Sequence, residues 1–308
     1  MSERMLWIGG IVGTIALGFF FYALVRNKAP IPEPQKLRVA ASFYPLYFFA
    51  TEIGGNSTTV YTVTPEGSEP HDYEPTAHDI ARISESRILV INGGGLEPWV
   101  EKIKTNLNAD HTLLIEAGQG LATQRIIERG ESVIDPHIWL SPSLAKQMVE
   151  KIAQGFAVAD PTHADSYALN AEALKKKLDT LDLAYQKGLG RCAQKNIIIS
   201  HASFGYLATS YQFNQVPIAG ISPDAEPSAK QLAEVADFAK KNDIKFIFFE
   251  SLVSPKLAQT IADETGAQTM ALNPLEGLTD EDIVAGKNYI TEMEQNLANL
   301  KLALQCTS

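Results

Sequence analysis

Short β-like runs and helical stretches alternate in two series along this chain, and one long helical stretch separates the series. The β-like runs of the first series are LRVAAS (37–42), TTVYTVT (58–64), RILVIN (87–92) and residues 112–115. Branched and aromatic residues of this kind favour strands. Strands that alternate with helices form βαβ units, so each series predicts a mainly parallel sheet.

The separating stretch, residues 162–187, is rich in Ala, Leu, Lys and Glu and can be capped by Asp160 or Thr162. The second series has strands predicted at 196–200, 215–219, 245–250 and 269–272, and a closing helix predicted at 280–304. We therefore predict an α/β fold with two lobes, each with a mainly parallel four-stranded sheet flanked by helices. The predicted domains are an N-terminal lobe at 37–160, a linking helix at 161–190 and a C-terminal lobe at 191–308.

The first 26 residues predict a membrane segment outside this fold. Residues 5–25 contain no charged side chain, and an apolar run of this length can span a bilayer as a helix. A secretory signal has a shorter apolar core and a small-residue cleavage site, and no cysteine for lipid attachment precedes Cys192. We predict an uncleaved transmembrane signal anchor at 1–26, with a cleaved signal as the alternative. The proline-rich residues 27–36 predict an extended tether.

The net charge and the cysteine content limit which partners and which covalent cross-links this chain can have. The net charge of −10 argues against a nucleic-acid partner, because phosphate binding needs basic patches. The chain contains two cysteines, Cys192 and Cys306. In an oxidising compartment such a pair usually joins, so we predict a disulfide; two unrelated buried thiols are the alternative.

Three of the six histidines stand in turn-rich segments: His71 in GSEPHDYEP, His137 in DPHIWLSP and His201 in IISHASFGY. His201 directly follows a predicted strand, and His71 lies seven residues beyond one. Because ligands of open α/β sheets lie outside the carboxyl ends of strands, these two should face one edge of the sheets. Imidazole is the commonest protein ligand for metals such as zinc. The three residues therefore predict a metal site in the cleft between the lobes.

A tetrahedral zinc site needs a fourth ligand, often a carboxylate. The candidates are Glu276, Glu250, Glu69 and Asn273. Glu276 lies just past a predicted strand, in the position that His201 has in its own loop, and is the preferred ligand. Glu250 also ends a strand but could instead orient a histidine from behind.

The chain resembles the metal-specific solute-binding proteins of ABC importers, the cluster 9 family that handles zinc or manganese. The segments that carry the resemblance are SFYPLYFFATEIGG, PEGSEPHDYEPTAHDIARISESRILVINGGGLEPWV, DPHIWLSPSLAKQMVEKIA, KNIIISHASFGYLATSY, PDAEPSAKQLAEV and LNPLEGLT. They cover essentially the whole chain from Leu37. The resemblance implies two α/β lobes joined by a long rigid helix with the metal in the cleft. It also implies metal ligands at His71, His137, His201 and Glu276.

What the resemblance implies is a high-affinity extracytoplasmic Zn²⁺-binding protein, a monomer, which delivers zinc to the permease of an ABC importer. Manganese is the alternative cargo, although harder oxygen ligands suit manganese better. A zinc-dependent hydrolase is a distant alternative, because the sequence has no HExxH motif, and we expect no enzyme activity and no catalytic residues. Many zinc-binding members carry a histidine-rich loop before the DPHIW segment. Here the corresponding segment, residues 119–134, is short and lacks histidine. We therefore predict a single metal site.

Overall fold

A computed structural model describes residues 36–307, apart from residues 129 and 224. Residues from Leu37 onward form one compact unit. The predicted anchor at 1–26 and almost all of the tether at 27–36 lie outside the described residues. Within the described part, no helix is both long and apolar enough to cross a membrane.

Two parallel four-stranded sheets form the centres of the two lobes. The first has the order β2-β1-β3-β4 and consists of β1 (Leu37–Ala41), β2 (Thr58–Thr62), β3 (Ile88–Ile91) and β4 (Leu113–Glu116). The second has the order β10-β9-β7-β8 and consists of β7 (Asn196–Ile199), β8 (Asn214–Pro217), β9 (Phe246–Phe249) and β10 (Gln268–Ala271). All pairs within these sheets are parallel. The predicted fold class is confirmed.

Helices cover both faces of the sheets. They are α1 (Tyr44–Gly54), α2 (Ala77–Ser84), α3 (Val100–Lys104), α4 (Pro142–Ala159), α5 (Ala164–Leu189), α6 (Gly205–Tyr211), α7 (Ala229–Lys241), α8 (Lys256–Thr265), α9 (Asp280–Val284) and α10 (Tyr289–Ala303). All four residues of β3 are buried, as expected for a central strand with both faces covered. In-register pairing of Val39 with Val60 and Ile88 continues this apolar layer across the sheet.

The long helix α5 links the lobes and packs against both. Its buried residues recur every three or four positions, from Tyr167 to Leu189, which is the period of one helix face. That face contacts α1 and α4 on one side and α10 on the other. The Tyr185 hydroxyl donates to the Met293 carbonyl at 2.7 Å. The buried apolar cluster around α5 includes residues of both sheets, among them Val39 and Phe248, so the two lobes share one core. The exact domain bounds given above stay a prediction.

Two local predictions need correction, and one helix was missed. The closing helix is not continuous: α9 ends before Gly286, which has φ of +72°, and Asn288 caps the start of α10. Residues 119–134 are not merely a short loop, because β5 (Arg125–Glu128) and β6 (Glu131–Ile134) pair as an antiparallel hairpin. The 18-residue helix α4 was not predicted. Its first residue is Pro142, which is well tolerated in a first helical turn.

The predicted disulfide is confirmed, because Cys192 and Cys306 are joined. Cys192 lies between α5 and β7, and Cys306 follows α10. The bond therefore ties the end of the described chain to the start of the second sheet. The backbone pairing of Ala193 and Gln194 with residues 304–305 lies directly beside it.

Candidate metal site

The four predicted ligands come from four different loops and meet between the lobes. His71 lies in the loop between β2 and α2, and His137 begins the short 3-10 turn that follows the β5–β6 hairpin. His201 comes two residues after β7, and Glu276 lies in the loop after β10. Two ligands therefore belong to each lobe. Their donor atoms all lie within 4.8 Å of one another.

The donor atoms have the spacing of a small tetrahedral site. Nε2 of His137 is 3.2 Å from Nε2 of both His71 and His201. Oε1 of Glu276 is 3.4 Å from Nε2 of His71, 3.1 Å from that of His137 and 3.2 Å from that of His201. A tetrahedral zinc ion with bonds of about 2.0–2.1 Å places its ligands roughly 3.3 Å apart. The spacing therefore fits a zinc-sized ion.

Two of the three imidazoles are held in orientation by carboxylates. Nδ1 of His137 is 2.8 Å from Oδ1 of Asp135, and Nδ1 of His201 is 2.7 Å from Oε2 of Glu250. A donor proton on each Nδ1 leaves Nε2 as the free lone pair, which is the form that binds a metal. Glu250 therefore lies behind His201. Of the two roles that the sequence allowed for Glu250, fourth ligand or support for a histidine, this position favours the second. Asp135 was missed, although a carboxylate two residues before a histidine in DPH was a usable signal.

The Glu276 loop is fixed by buried polar contacts rather than by a regular element. Asn273, another candidate ligand, accepts a hydrogen bond from Leu275 N at 2.7 Å, and Leu275 has φ of +60°. A non-glycine residue with positive φ is unusual and needs support from its neighbours. The indole of Trp139 donates to the Pro274 carbonyl at 2.7 Å. Trp139 also packs against His137, so this bond connects two ligand loops of opposite lobes.

Burial and charge make the site strongly attractive to a cation. The side chains of His137, His201 and Glu276 are at most 1% exposed, and that of His71 is 6% exposed. Burial alone would raise the pKa of Glu276, but His201 and the close approach of all three imidazoles hold that pKa well below its usual range. The carboxylate therefore stays ionised in the interior.

The imidazoles differ in basicity. Burial opposes charge on His137 and His201, but their carboxylate neighbours raise the pKa of both above the ordinary value. For His71, burial is the larger influence and lowers the pKa, and the Glu276 carboxylate opposes that shift only in part. The remaining candidate ligand, Glu69, lies beside this group: burial first, and the charge of Glu276 second, raise its pKa to about 9.

Two α/β lobes with a candidate metal site gathered between them are the architecture of the solute-binding protein class. The family model for ZnuA, described as zinc-uptake complex component A, periplasmic, matches residues 39–303. The chain therefore belongs to the ZnuA family.

Individual relatives agree with this assignment. The chain is 40% identical over 279 residues to the zinc-binding lipoprotein AdcA of Streptococcus pneumoniae; the match covers 86% of this chain and 55% of that protein. It is 39% identical over 313 residues to the high-affinity zinc uptake system protein ZnuA of Bacillus subtilis, with 97% and 98% covered. The crystal structure of the Zn(II)-bound ZnuA-like domain of Streptococcus pneumoniae AdcA superposes with a TM-score of 0.77 at 41% identity and covers 88% of this chain and 99% of that one. The chain thus spans about half the length of the AdcA protein it matches.

Proposed function

We propose that this protein binds one Zn²⁺ ion through His71, His137, His201 and Glu276 and delivers it to the permease of an ABC importer. The observation that carries the proposal is the 3.1–3.4 Å spacing between the Glu276 oxygen and the three imidazole nitrogens. The names of the relatives, which describe zinc binding and zinc uptake, support the same cargo.

The donor set favours zinc over manganese. Three nitrogen donors and one carboxylate oxygen suit a borderline ion, whereas manganese prefers sites richer in oxygen. Four donor side chains converge among the described residues, which is the number that zinc takes in a closed protein site. We therefore expect manganese to bind at this site much more weakly than zinc.

The same donor set favours holding the ion over reacting with it. A catalytic zinc site keeps one coordination position open for water or substrate, whereas the four proposed donors would fill the tetrahedron. The matching family is described as a component of a zinc-uptake complex. We therefore propose a binding protein without enzyme activity, acting as a monomer.

We propose that the protein works outside the cytoplasm, as the periplasmic family description supports, and that residues 5–25 tether it to the membrane. The relative from Streptococcus pneumoniae is named a lipoprotein. In this sequence no cysteine precedes Cys192, so the apolar segment is the anchor that we propose. Such a tether would hold the site close to a permease in the same membrane.

The test is a competition titration of the full chain with zinc and manganese against a coloured chelator. We expect one equivalent of tightly bound zinc. His137→Ala and His201→Ala should each weaken zinc binding by at least about 100-fold. Each variant removes one ligand and also the contact between that ligand and its supporting carboxylate. His111→Ala, on the exposed surface, is the matched control. Preference for manganese, or full affinity in the two ligand variants, would refute the proposal.

A further inference from the structure

The proposed ligand Glu276 lies in an irregular segment between β10 and α9, so no helix or strand fixes its backbone. Its Oε1 nevertheless lies 3.1–3.4 Å from three imidazole nitrogens. A side chain that binds a metal must be held within about 0.5 Å of the required position. Contacts with neighbouring elements must therefore hold this segment in place.

Asn296 of helix α10 makes such a contact at the start of the segment. The residue is 2% exposed. Its Oδ1 accepts the Asn273 backbone N–H at 2.9 Å, and its Nδ2 donates to the Asn273 carbonyl at 2.7 Å. Because a side-chain amide has both a donor and an acceptor, this one group binds both backbone polar groups of a single loop residue. The two bonds together fix the position and the orientation of Asn273.

Asn273 extends this constraint toward Glu276. Its side-chain Oδ1 accepts the Leu275 N–H at 2.7 Å, and Leu275 has φ of +60°. A non-glycine residue with positive φ keeps that conformation only when its surroundings support it. Leu275 directly precedes Glu276, so its backbone conformation determines where the ligand side chain starts. The hydrogen bonds from α10 thus form a continuous path that ends one residue before the ligand.

We propose that Asn296 is a positioning residue for zinc binding, which holds the Glu276 loop so that the carboxylate meets the three imidazoles. Its side-chain hydrogen bonds go to Asn273, so it acts through the loop backbone. Glu250 supports a histidine ligand by direct contact, whereas Asn296 supports the carboxylate ligand from two contacts away. The inference rests on the proposed zinc-binding function and adds a residue outside the four ligands on which zinc affinity depends.

A double-mutant cycle separates positioning from a merely structural role. Asn296→Ala should weaken zinc binding by roughly tenfold, which is the lower end of the effect of a group that orients a ligand. In a chain that already carries Glu276→Ala, the same substitution should change zinc affinity by less than about twofold, because the ligand that it positions is gone. A purely structural role would give the same loss in both backgrounds.

The experiment is chelator competition with zinc on the full chain, for wild type, both single variants and the double variant. The melting temperature of each zinc-free chain measures folding. Asn299→Ala is the matched control, because Asn299 lies one turn further along α10 and donates to the Ala271 carbonyl at 2.8 Å, at the end of β10 before the ligand loop. This control should keep its zinc affinity within about twofold of wild type.

Asn273→Ala is the second variant, since it removes the acceptor of the Leu275 N–H and leaves α10 unchanged. It should show the same dependence on Glu276, and it decides the question if Asn296→Ala does not fold. Failure of both variants to fold would make these residues structural and overturn the inference.

Three other results would overturn the inference and leave zinc binding itself intact. They are an unchanged affinity in Asn296→Ala, an equal loss with and without Glu276, and a loss in Asn299→Ala as large as in Asn296→Ala. A wild-type chain that binds no zinc would instead overturn the proposed function, and the inference with it.

Discussion

Replacement of Glu250 tests how much the support of a ligand contributes to zinc affinity. Glu250 contacts the proposed ligand His201 and is not itself one of the four proposed ligands. Its side chain is 2% exposed, and its two oxygens lie 2.9 and 2.7 Å from Nδ1 of His201. Oε1 also accepts the His201 backbone N–H at 3.1 Å. The carboxylate therefore fixes both the tautomer and the ring orientation of His201.

Carboxylates behind metal-binding histidines contribute roughly 10- to 100-fold in affinity, or about 1.4–2.7 kcal/mol. We expect Glu250→Gln to lose about tenfold, because the amide oxygen can still accept the Nδ1 proton but the charge is gone. Glu250→Ala should lose about 100-fold, because orientation is lost as well. The effect should depend on pH. Glu250 raises the pKa of His201, so it strengthens proton binding along with zinc binding, and the loss in the variants should grow as pH rises.

The assay is chelator competition at several pH values, with the melting temperature of the zinc-free chain as a measure of folding. Glu264→Ala is the matched control, because Glu264 pairs with Lys240 on the surface of the same lobe. Zinc affinities within about twofold of wild type in both Glu250 variants, with folding intact, would refute the role given to this carboxylate.

Three further predictions follow from contacts described above. Zinc affinity should fall as pH drops, beginning above the ordinary histidine value of 6.5, because the raised pKa of His201 lets protons compete there; titrations from pH 5.5 to about 8.5 would detect it, and a flat profile would contradict it. Tyr289→Phe should lower the free energy of unfolding by about 1–2 kcal/mol, because its buried hydroxyl donates to the Trp139 carbonyl at 2.5 Å; urea unfolding measures this, and an unchanged midpoint would contradict it. Replacing Cys192 and Cys306 together by Ser should cost about 2–4 kcal/mol, since the bond closes a separation of 114 residues. Reductant should have the same effect on the wild-type chain and none on the variant.

The sequence predicted the sheets well because their strands are short runs of branched apolar residues bounded by turns, as in Ile88–Ile91. It predicted the linking helix because one apolar face repeats over seven turns. It missed the β5–β6 hairpin, whose four-residue strands carry charged residues such as Arg125 and Glu131. Strands this polar have no periodic signal, and the hairpin is positioned by contacts with the other lobe. One such contact is the 2.9 Å hydrogen bond from Gln124 N to the Tyr206 hydroxyl.

At the site, the sequence offered four candidates for the fourth ligand, and only tertiary structure separates them. Glu276 points its Oε1 at all three imidazoles, whereas Glu250 lies behind one of them. The side-chain oxygen of Asn273 accepts the Leu275 N–H, and its amide group donates to Glu292. Each of these positions depends on backbone geometry such as the positive φ of Leu275, and residue type alone does not encode that geometry.

The single core shared by the two lobes determines how the protein can be divided. Because α5 buries one face against helices of both lobes, cutting the chain before or after it would expose a continuous apolar stripe on either fragment. Neither half could then serve as a portable module for fusion or exchange with a relative, although each contains a complete four-stranded sheet. Heat or denaturant should melt the two halves together in a single cooperative step. The two pairs of zinc ligands would therefore be lost at once, so a partly unfolded chain would not retain a half-assembled site.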